Sequence, residues 1–215
     1  LYTMIASCLP IQGSAGKVSP FHLRRGMIAD SGRLTAFFRI LDDIAARREK
    51  VVVFVQHFDV QDVVARAIRA RYGLDHMPGK INGTMAPAAR QKVVSEFQNG
   101  SPGFDAVVLT GRAAGTGLTL TAANHVVHLE RWWNPAVEDQ CSDRVYRIGQ
   151  TKDVMVHVPL AVFREEVDPA DSPFDLTLHQ FLERKRSRSQ SVLAPSSSGK
   201  GDQEFIESFF GKKAD

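Results

Sequence analysis

His125-Val-Val-His-Leu-Glu-Arg-Trp-Trp-Asn-Pro-Ala-Val-Glu-Asp-Gln-Cys-Ser-Asp-Arg-Val-Tyr-Arg-Ile-Gly-Gln150 decides how this chain folds. Its first five residues read as a short buried strand. Asn134 and Pro135 then offer an N-cap and a first helical residue, so the strand feeds directly into a helix. On that expected helix Gln140, Asp143, Arg144 and Arg147 recur at three- and four-residue spacing and share one face. A guanidinium is always charged and can grip phosphate oxygens in pairs. Two of them one turn apart suit a polyphosphate better than a random surface. The spacing predicts a helix that presents arginines to a nucleotide held mainly by other groups.

Upstream, Val51-Val-Val-Phe-Val55 is continuous, β-branched and apolar, as expected of a strand buried on both faces. Ala106–Leu109 and Val154–Val158 read as further buried strands. Helical periods lie between them. Ser31 opens one helix with Leu34, Phe37, Phe38, Leu41 and Ile44 inward and Arg39, Asp42, Arg47 and Arg48 outward. Asp59 is the candidate cap of a second, with Val60, Val63, Val64, Ala67 and Ile68 on its buried stripe. Pro87 opens a third, packed through Val93, Val94 and Phe97. Strands alternating with helices predict an α/β fold, a three-layer α/β/α arrangement around a mainly parallel sheet.

The 215 residues hold one sizeable core plus extensions, since domains run roughly 100–200 residues. Fractions of 43% hydrophobic and 24% charged are those of a globular protein. A net charge of +3 and a pI near 9.0 are compatible with nucleic acid without requiring it. Cys8 and Cys141 lie far apart, which argues against a disulfide framework or zinc knuckle and fits a reducing compartment. No apolar run approaches the roughly 18–20 residues that span a bilayer, and no signal peptide is visible. Leu1 stands without an initiator methionine, so the chain reads as a fragment of something longer.

Residues 1–30, broken by Pro10, Gly13, Gly16 and Pro20, read as a connector. Gly13-Ser-Ala-Gly-Lys-Val18 fails as a phosphate loop. Ile11 occupies the first glycine position, and Val18 stands where a hydroxyl must meet magnesium. The main domain is expected over residues 31–165 and an extension over 166–215. In that extension Leu178, Phe181 and Leu182 form a helical face running into the basic Glu183-Arg-Lys-Arg-Ser-Arg188. Ala194–Gly201 reads as a linker, and Phe205, Ile206, Phe209 and Phe210 as a last amphipathic helix.

Ligands of an open parallel sheet collect at the carboxyl ends of its strands. Gln56 and His57 follow the first strand, and Thr110-Gly-Arg-Ala-Ala-Gly-Thr-Gly-Leu118 follows the one ending at Leu109. There Gly115 and Gly117 would let main-chain amides approach a phosphate, and Thr116 adds a hydroxyl. His57, His76, His125, His128 and His157 lack ligand spacing. His125 and His128, three apart on a strand, face opposite sides, and both read as core or edge residues. No metal site is expected within the chain.

These segments resemble, in order, the motifs of the SNF2-family ATPases of helicase superfamily 2. Lys50–Gln56 is similar to motif IV. Ile81-Asn-Gly-Thr with Arg90 and Val93–Phe97 resembles the block that follows it. Leu109–Asn124 is similar to motif V, and Trp133-Asn-Pro135 with Gln140–Gln150 to motif VI. The likeness covers residues 31–160, and the Asp-Arg-x-x-Arg-Ile-Gly-Gln ending is its most specific part. Ala114 departs from the usual glycine, and Thr110-Gly-Arg112 replaces the commoner Ser-Leu-Lys/Arg.

The resemblance implies the second of two RecA-like lobes, with a helical C-terminal extension, whose partner is the N-terminal lobe of the same protein. ATP with Mg2+ would lie in the cleft, bound mainly by that first lobe. Arg144 and Arg147 would be the catalytic arginine fingers, with Gln140 and Gly115 also at the nucleotide. Gln56, Arg112, Thr116, Gly117 and Trp133 would face double-stranded DNA, and Trp132 the core. Further DNA-bound proteins as partners and a bacterial cytoplasmic, nucleoid-associated setting complete the expectation. The chain itself carries no Walker A lysine, no Asp-Glu box and no carboxylate placed to orient water; Asp42-Asp43 reads as solvated surface.

Two rivals remain. Pro173-Phe-Asp175 with Glu183-Arg-Lys185 faintly echoes a metal-dependent nuclease. A catalytically idle DNA-binding or partner-docking module would instead use Arg184, Lys185, Arg186 and Arg188 on phosphates. In relatives a segment after motif VI braces the lobes, and residues 175–190 could do so here.

Overall fold

A computed structural model describes residues 31–111, 117–161 and 174–190, the side chains of 188–190 excepted. The expected connector, the linker, the terminal helix, and Arg112, Gly115 and Thr116 lie outside the described residues.

Among the described residues ten elements follow one another: α1 (Gly32–Ala46), β1 (Lys50–Val55), α2 (Phe58–Tyr72), β2 (Gly79–Ile81), α3 (Pro87–Asn99), β3 (Asp105–Thr110), β4 (His125–His128), α4 (Pro135–Ser142), β5 (Met155–His157) and α5 (Phe174–Gln190). The five strands form one sheet in the order β2-β3-β1-β4-β5, and every pair is parallel. β1 lies at the centre with Val51–Val55 wholly buried. A strand covered on both faces has no side left for polar residues, which is why it reads as an unbroken apolar run.

Alternation along the strands divides the core in two. Val51, Val53, Val55, Val108 and Val127 face α1 and α2 through Phe37, Leu41, Val64 and Ile68. Val52, Phe54, Val107, Leu109 and Val126 face Val94, Phe97, Leu120, Cys141 and Val145. Helices therefore cover both faces, and the three-layer α/β/α fold is present as expected.

Local chemistry explains the boundaries. Ser31 caps α1, its hydroxyl accepting from the Leu34 amide at 3.3 Å. Asn134 caps α4 through the Ala136 amide at 3.1 Å, with Pro135 at the first position. Lys50 closes α3 from the neighbouring strand, its Nζ donating to the Phe97 carbonyl at 2.7 Å and the Gly100 carbonyl at 3.3 Å. A cation there complements the helix dipole.

Four expectations are corrected. His57, not Asp59, occupies the N-cap of α2, without a side-chain hydrogen bond, and Gln61 and Ala65 join its buried stripe, with Ala67 partly buried against the core and Val63 at its margin. Residues 79–81 add a strand, held to β3 by backbone pairing. β5 is an edge strand, with Met155 and Val156 half exposed rather than buried. Asp42 is not free surface: it accepts from both ends of the Arg71 guanidinium and from the Tyr72 hydroxyl, and the Arg71 bonds hold its carboxyl below the usual range. Among the described residues no helix is long and apolar enough to cross a membrane.

Candidate nucleotide and nucleic-acid site

The parallel strands deliver their carboxyl ends to one edge, where the chain between β3 and β4 meets the chain after α4. Helical spacing predicts α4 running on through Arg147, but it stops at Ser142. Arg144 N then donates to Cys141 O at 3.2 Å and Val145 N to Ser142 O at 3.0 Å, tightening the backbone to three-residue steps. Val145 is fully buried in the sheet-facing core, and Gly149 bends the chain at φ 102°. Arg144 and Arg147 thus sit on a turn, not on a helix face, and Gln140 stays on the helix with its side chain exposed.

That turn grips the segment after the glycine loop. Arg147 Nη1 donates to the Gly117 carbonyl and the Thr119 hydroxyl, each at 3.1 Å, and to the Leu118 carbonyl at 3.4 Å. The Arg144 carbonyl accepts from the Leu120 amide at 2.8 Å. Gln150, the last residue of the motif VI segment, reaches the carbonyls of Ala123 at 2.7 Å and Thr121 at 3.2 Å through Nε2. Gly117 takes φ 72° with open space around it. That backbone suits glycine and leaves its surface accessible. Arg144 is only 7% exposed, and among the described residues its Nε lacks a hydrogen-bond partner. A buried guanidinium with an unused donor is uncommon and can take a further hydrogen-bond acceptor.

The residues expected at DNA divide. Gln56 Nε2 is spent on the Arg131 carbonyl at 2.7 Å. Its amide donates to the Glu130 carboxylate. Trp133 is 40% exposed, yet its ring lies 5.6 Å from that of Phe181 on α5, with Lys185 5.5 Å above it. Trp132 packs inward as expected: a Cβ on Gly111 would come within 2.1 Å of its ring, so only glycine permits that contact.

Buried charge organises the same edge. Glu130 is buried at the exit of β4, and burial raises its pKa, opposed in part by the Gln56 amide and by His57 and Arg33. Burial would also raise Glu138, but the Arg131 guanidinium bonded to it brings the net shift below the ordinary value. Burial pushes the Cys141 thiol up to about 12, so it is an inert core residue. On the inner side of α2, Gln61 Nε2 donates to the carbonyls of Ile81 at 2.9 Å and Val108 at 2.7 Å, tying helix to strand ends. Asp175 is buried against Arg33, and no cluster of ligating side chains among the described residues could hold a metal. Asp175, the carboxylate of the nuclease echo, is thus committed to an ion pair with Arg33. Arg186 is engaged with Glu138, Asp139 and Glu183, so it is not presented to a phosphate backbone.

The description "Helicase conserved C-terminal domain" matches residues 33–149. Zorya protein ZorD of Escherichia coli O139:H28 is 36% identical over 76% of the chain. The putative ATP-dependent helicase/translocase YwqA of Bacillus subtilis is 36% identical over 64%. The chain spans 15% of the length of each of these relatives. Among solved structures, the Sulfolobus solfataricus SWI2/SNF2 ATPase core in complex with dsDNA is similar with a TM-score of 0.62. It is 29% identical, with 86% of this chain and 37% of that one covered.

Proposed function

The chain belongs to the helicase conserved C-terminal domain family as a lobe of SNF2 type, and from that premise we propose that it is the second motor lobe of an ATP-driven double-stranded DNA translocase. ATP and Mg2+ would be bound mainly by an N-terminal lobe of the same protein. ATP supplies the phosphoryl group whose transfer to water releases the driving free energy.

One observation carries this reading. The arginine turn and the segment leaving the glycine loop are hydrogen-bonded into one unit, through Arg147 to Gly117, Leu118 and Thr119 and through the Arg144 carbonyl to Leu120. A unit that carries arginines on one part and an open glycine backbone on the other suits two anions. Arg144, with its unused buried Nε, and Arg147 would stabilise charge developing on the terminal phosphate. Gln140 and Gly115 would lie beside the nucleotide. Arg112, Thr116 and Gly117 would follow a DNA strand, with Trp133 and Gln56 at its margin. The core structure similar to this chain was determined with dsDNA, which supports that partner.

In the intact protein Arg147→Ala is expected to lower DNA-stimulated ATP hydrolysis by about 10³-fold or more, the scale of an arginine finger, with nucleotide binding largely retained. Near-normal turnover in that variant removes the assignment. Because Arg147 also holds the loop, Arg147→Lys is the companion variant. A lysine keeps one charge and a donor for the loop carbonyls, yet loses the paired geometry that a phosphoryl group requires.

A further inference from the structure

At the amino end of β4 two histidines and a carboxylate stand in a row that the site above does not use. His125 opens β4 and is buried, and His157 lies on the edge strand β5, on the same face of the sheet. His125 Nδ1 is 3.0 Å from His157 Nε2. The ring centroids are 5.3 Å apart and the planes tilted by 28°, so the two nitrogens point at each other nearly in plane. On its other side His125 Nε2 is 2.7 Å from Glu49 Oε2, in the turn between α1 and β1. The second oxygen of Glu49 accepts from Lys152 Nζ and Asn124 Nδ2, each at 2.9 Å.

The positions of the protons follow from this row. The bonds from His125 and Lys152 hold the Glu49 carboxyl at about 2, so it stays an acceptor and His125 Nε2 carries a hydrogen. A neutral His125 then has only a lone pair at Nδ1, and His157 must donate its Nε2–H to it. One added proton is accommodated. On His157 Nδ1 it leaves the contact as it was, and on His125 Nδ1 it requires only that His157 change tautomer. A second proton is not accommodated. Both facing nitrogens would then carry hydrogens across 3.0 Å, between two imidazolium rings. The surrounding charges do not offset them: Arg47 and Asp43 of α1 act on His157 with opposite signs, and Lys152 opposes Glu49.

We infer that His125 and His157 form a one-proton latch that ties β5 to the turn between α1 and β1 and opens on the second protonation. β5 has little else to hold it, since three residues pair it to β4 and Met155 and Val156 are half exposed. Burial, His125 and Arg47 lower the His157 pKa from 6.5, against Asp43. A lowered folded value means that closure is favoured in full above 6.5 and is lost as pH falls through that lower value. The strand so released is the one that follows the arginine turn. Lys152, which shares Glu49 with His125, donates its amide to Gln150 Oε1 at 3.0 Å. The latch stands whether or not the chain drives translocation.

The test uses the full natural chain carrying this lobe. Backbone hydrogen exchange, expressed as protection relative to the unstructured rate at each pH, is followed from neutral pH to about two units below it. Peptides covering residues 153–158 and 50–55 are compared. Protection in 153–158 should fall below pH 6.5 by about tenfold per pH unit, for the one proton that opening takes up, and further than in 50–55. A fall no greater than that in 50–55 reports a global loss of stability and overturns the latch.

Two variants separate the proton from the contact. His157→Gln supplies an amide that donates to His125 Nδ1 or accepts from it and does not titrate. The extra fall in 153–158 should vanish in it, and an extra fall that persists undiminished overturns the latch. His157→Phe keeps a ring with neither donor nor acceptor. It should lower protection in 153–158 already at neutral pH and remove the extra slope. Protection there equal to that of the unmutated chain at neutral pH would mean that the contact holds nothing, and overturns the latch as well.

Discussion

His128 illustrates how a single side chain is fixed by its hydrogen-bond partners. It lies at the end of β4, stacked on Phe54 with ring centroids 5.4 Å apart, and Nε2 is 3.0 Å from the Ser142 hydroxyl. Ser142 donates its own proton to the Glu138 carbonyl at 3.1 Å, so the hydroxyl can only accept from His128. The ring is therefore the Nε2–H tautomer, with Nδ1 buried and, among the described residues, unpartnered. Burial lowers its pKa from 6.5 to about 4. Between those values the unfolded chain takes up a proton that the folded one refuses. Stability is full above pH 6.5 and falls as pH drops toward about 4, by up to about 3 kcal/mol over the window. Urea unfolding at a series of pH values should show this slope, and His128→Phe, which keeps the stacking, should flatten it. An unchanged slope in the variant would assign the acid sensitivity elsewhere. Glu49 adds a separate, lower window. Its bond to His125 holds its carboxyl at about 2, so its contribution is present above 4.5 and lost only below that.

At the scale of elements, α5 is attached at both ends by charge and in the middle by apolar contact. Its first turn places Asp175 against the Arg33 guanidinium on α1, both side chains almost wholly buried, and the same carboxylate accepts from the Ala161 amide at 2.8 Å. Leu178 and Leu182 are buried below it, and Arg186 closes the far end on Glu138. Asp175→Ala strands Arg33 without a counter-charge, a loss of about 3–5 kcal/mol. A shift of the denaturation midpoint well under that amount would mean that water reaches Arg33 once the carboxylate is gone. Most elements were legible in the sequence because their burial is one-sided or complete. Val51–Val55 could only be a central strand, and Ser31 and Asn134 announced the helices they cap. β2 was not, since three residues give no periodicity and its existence depends on β3. The end of α4 was misread for a different reason: the three- and four-residue spacing runs on through Arg147, but Val145 and the Gln150 amide claim the backbone for a turn. Glu138 gave no signal at all. Its arginine on α5 stands 48 residues away, and only the folded chain brings them together.

On the scale of the whole molecule, the charges present define what the chain lacks. Its turn after α4 carries Arg144 and Arg147, the two guanidinium groups that the proposed function assigns to an anion. The carboxylates do not complete the chemistry. Asp42 is committed to Arg71 and Tyr72, Asp175 to Arg33, and Glu138 to Arg131 and Arg186. Glu130 is buried at the exit of β4 and accepts from the Gln56 main-chain amide. The 215 residues contain neither a Walker A lysine nor an Asp-Glu pair in that order. An arginine finger adds transition-state stabilisation only to a phosphate already positioned, with its metal and its attacking water in place. The purified 215-residue chain, given ATP, Mg2+ and duplex DNA, should therefore release phosphate no faster than the reagents alone. It should retain DNA binding that weakens with salt, since the loop and its arginine need no nucleotide to meet a phosphate backbone. A coupled phosphate-release assay across a DNA titration separates the two properties. Turnover that is stoichiometric with the chain and stimulated by DNA would place the whole active site inside this lobe and remove the two-lobe reading. Salt-dependent DNA binding without turnover is the behaviour expected of half an active site.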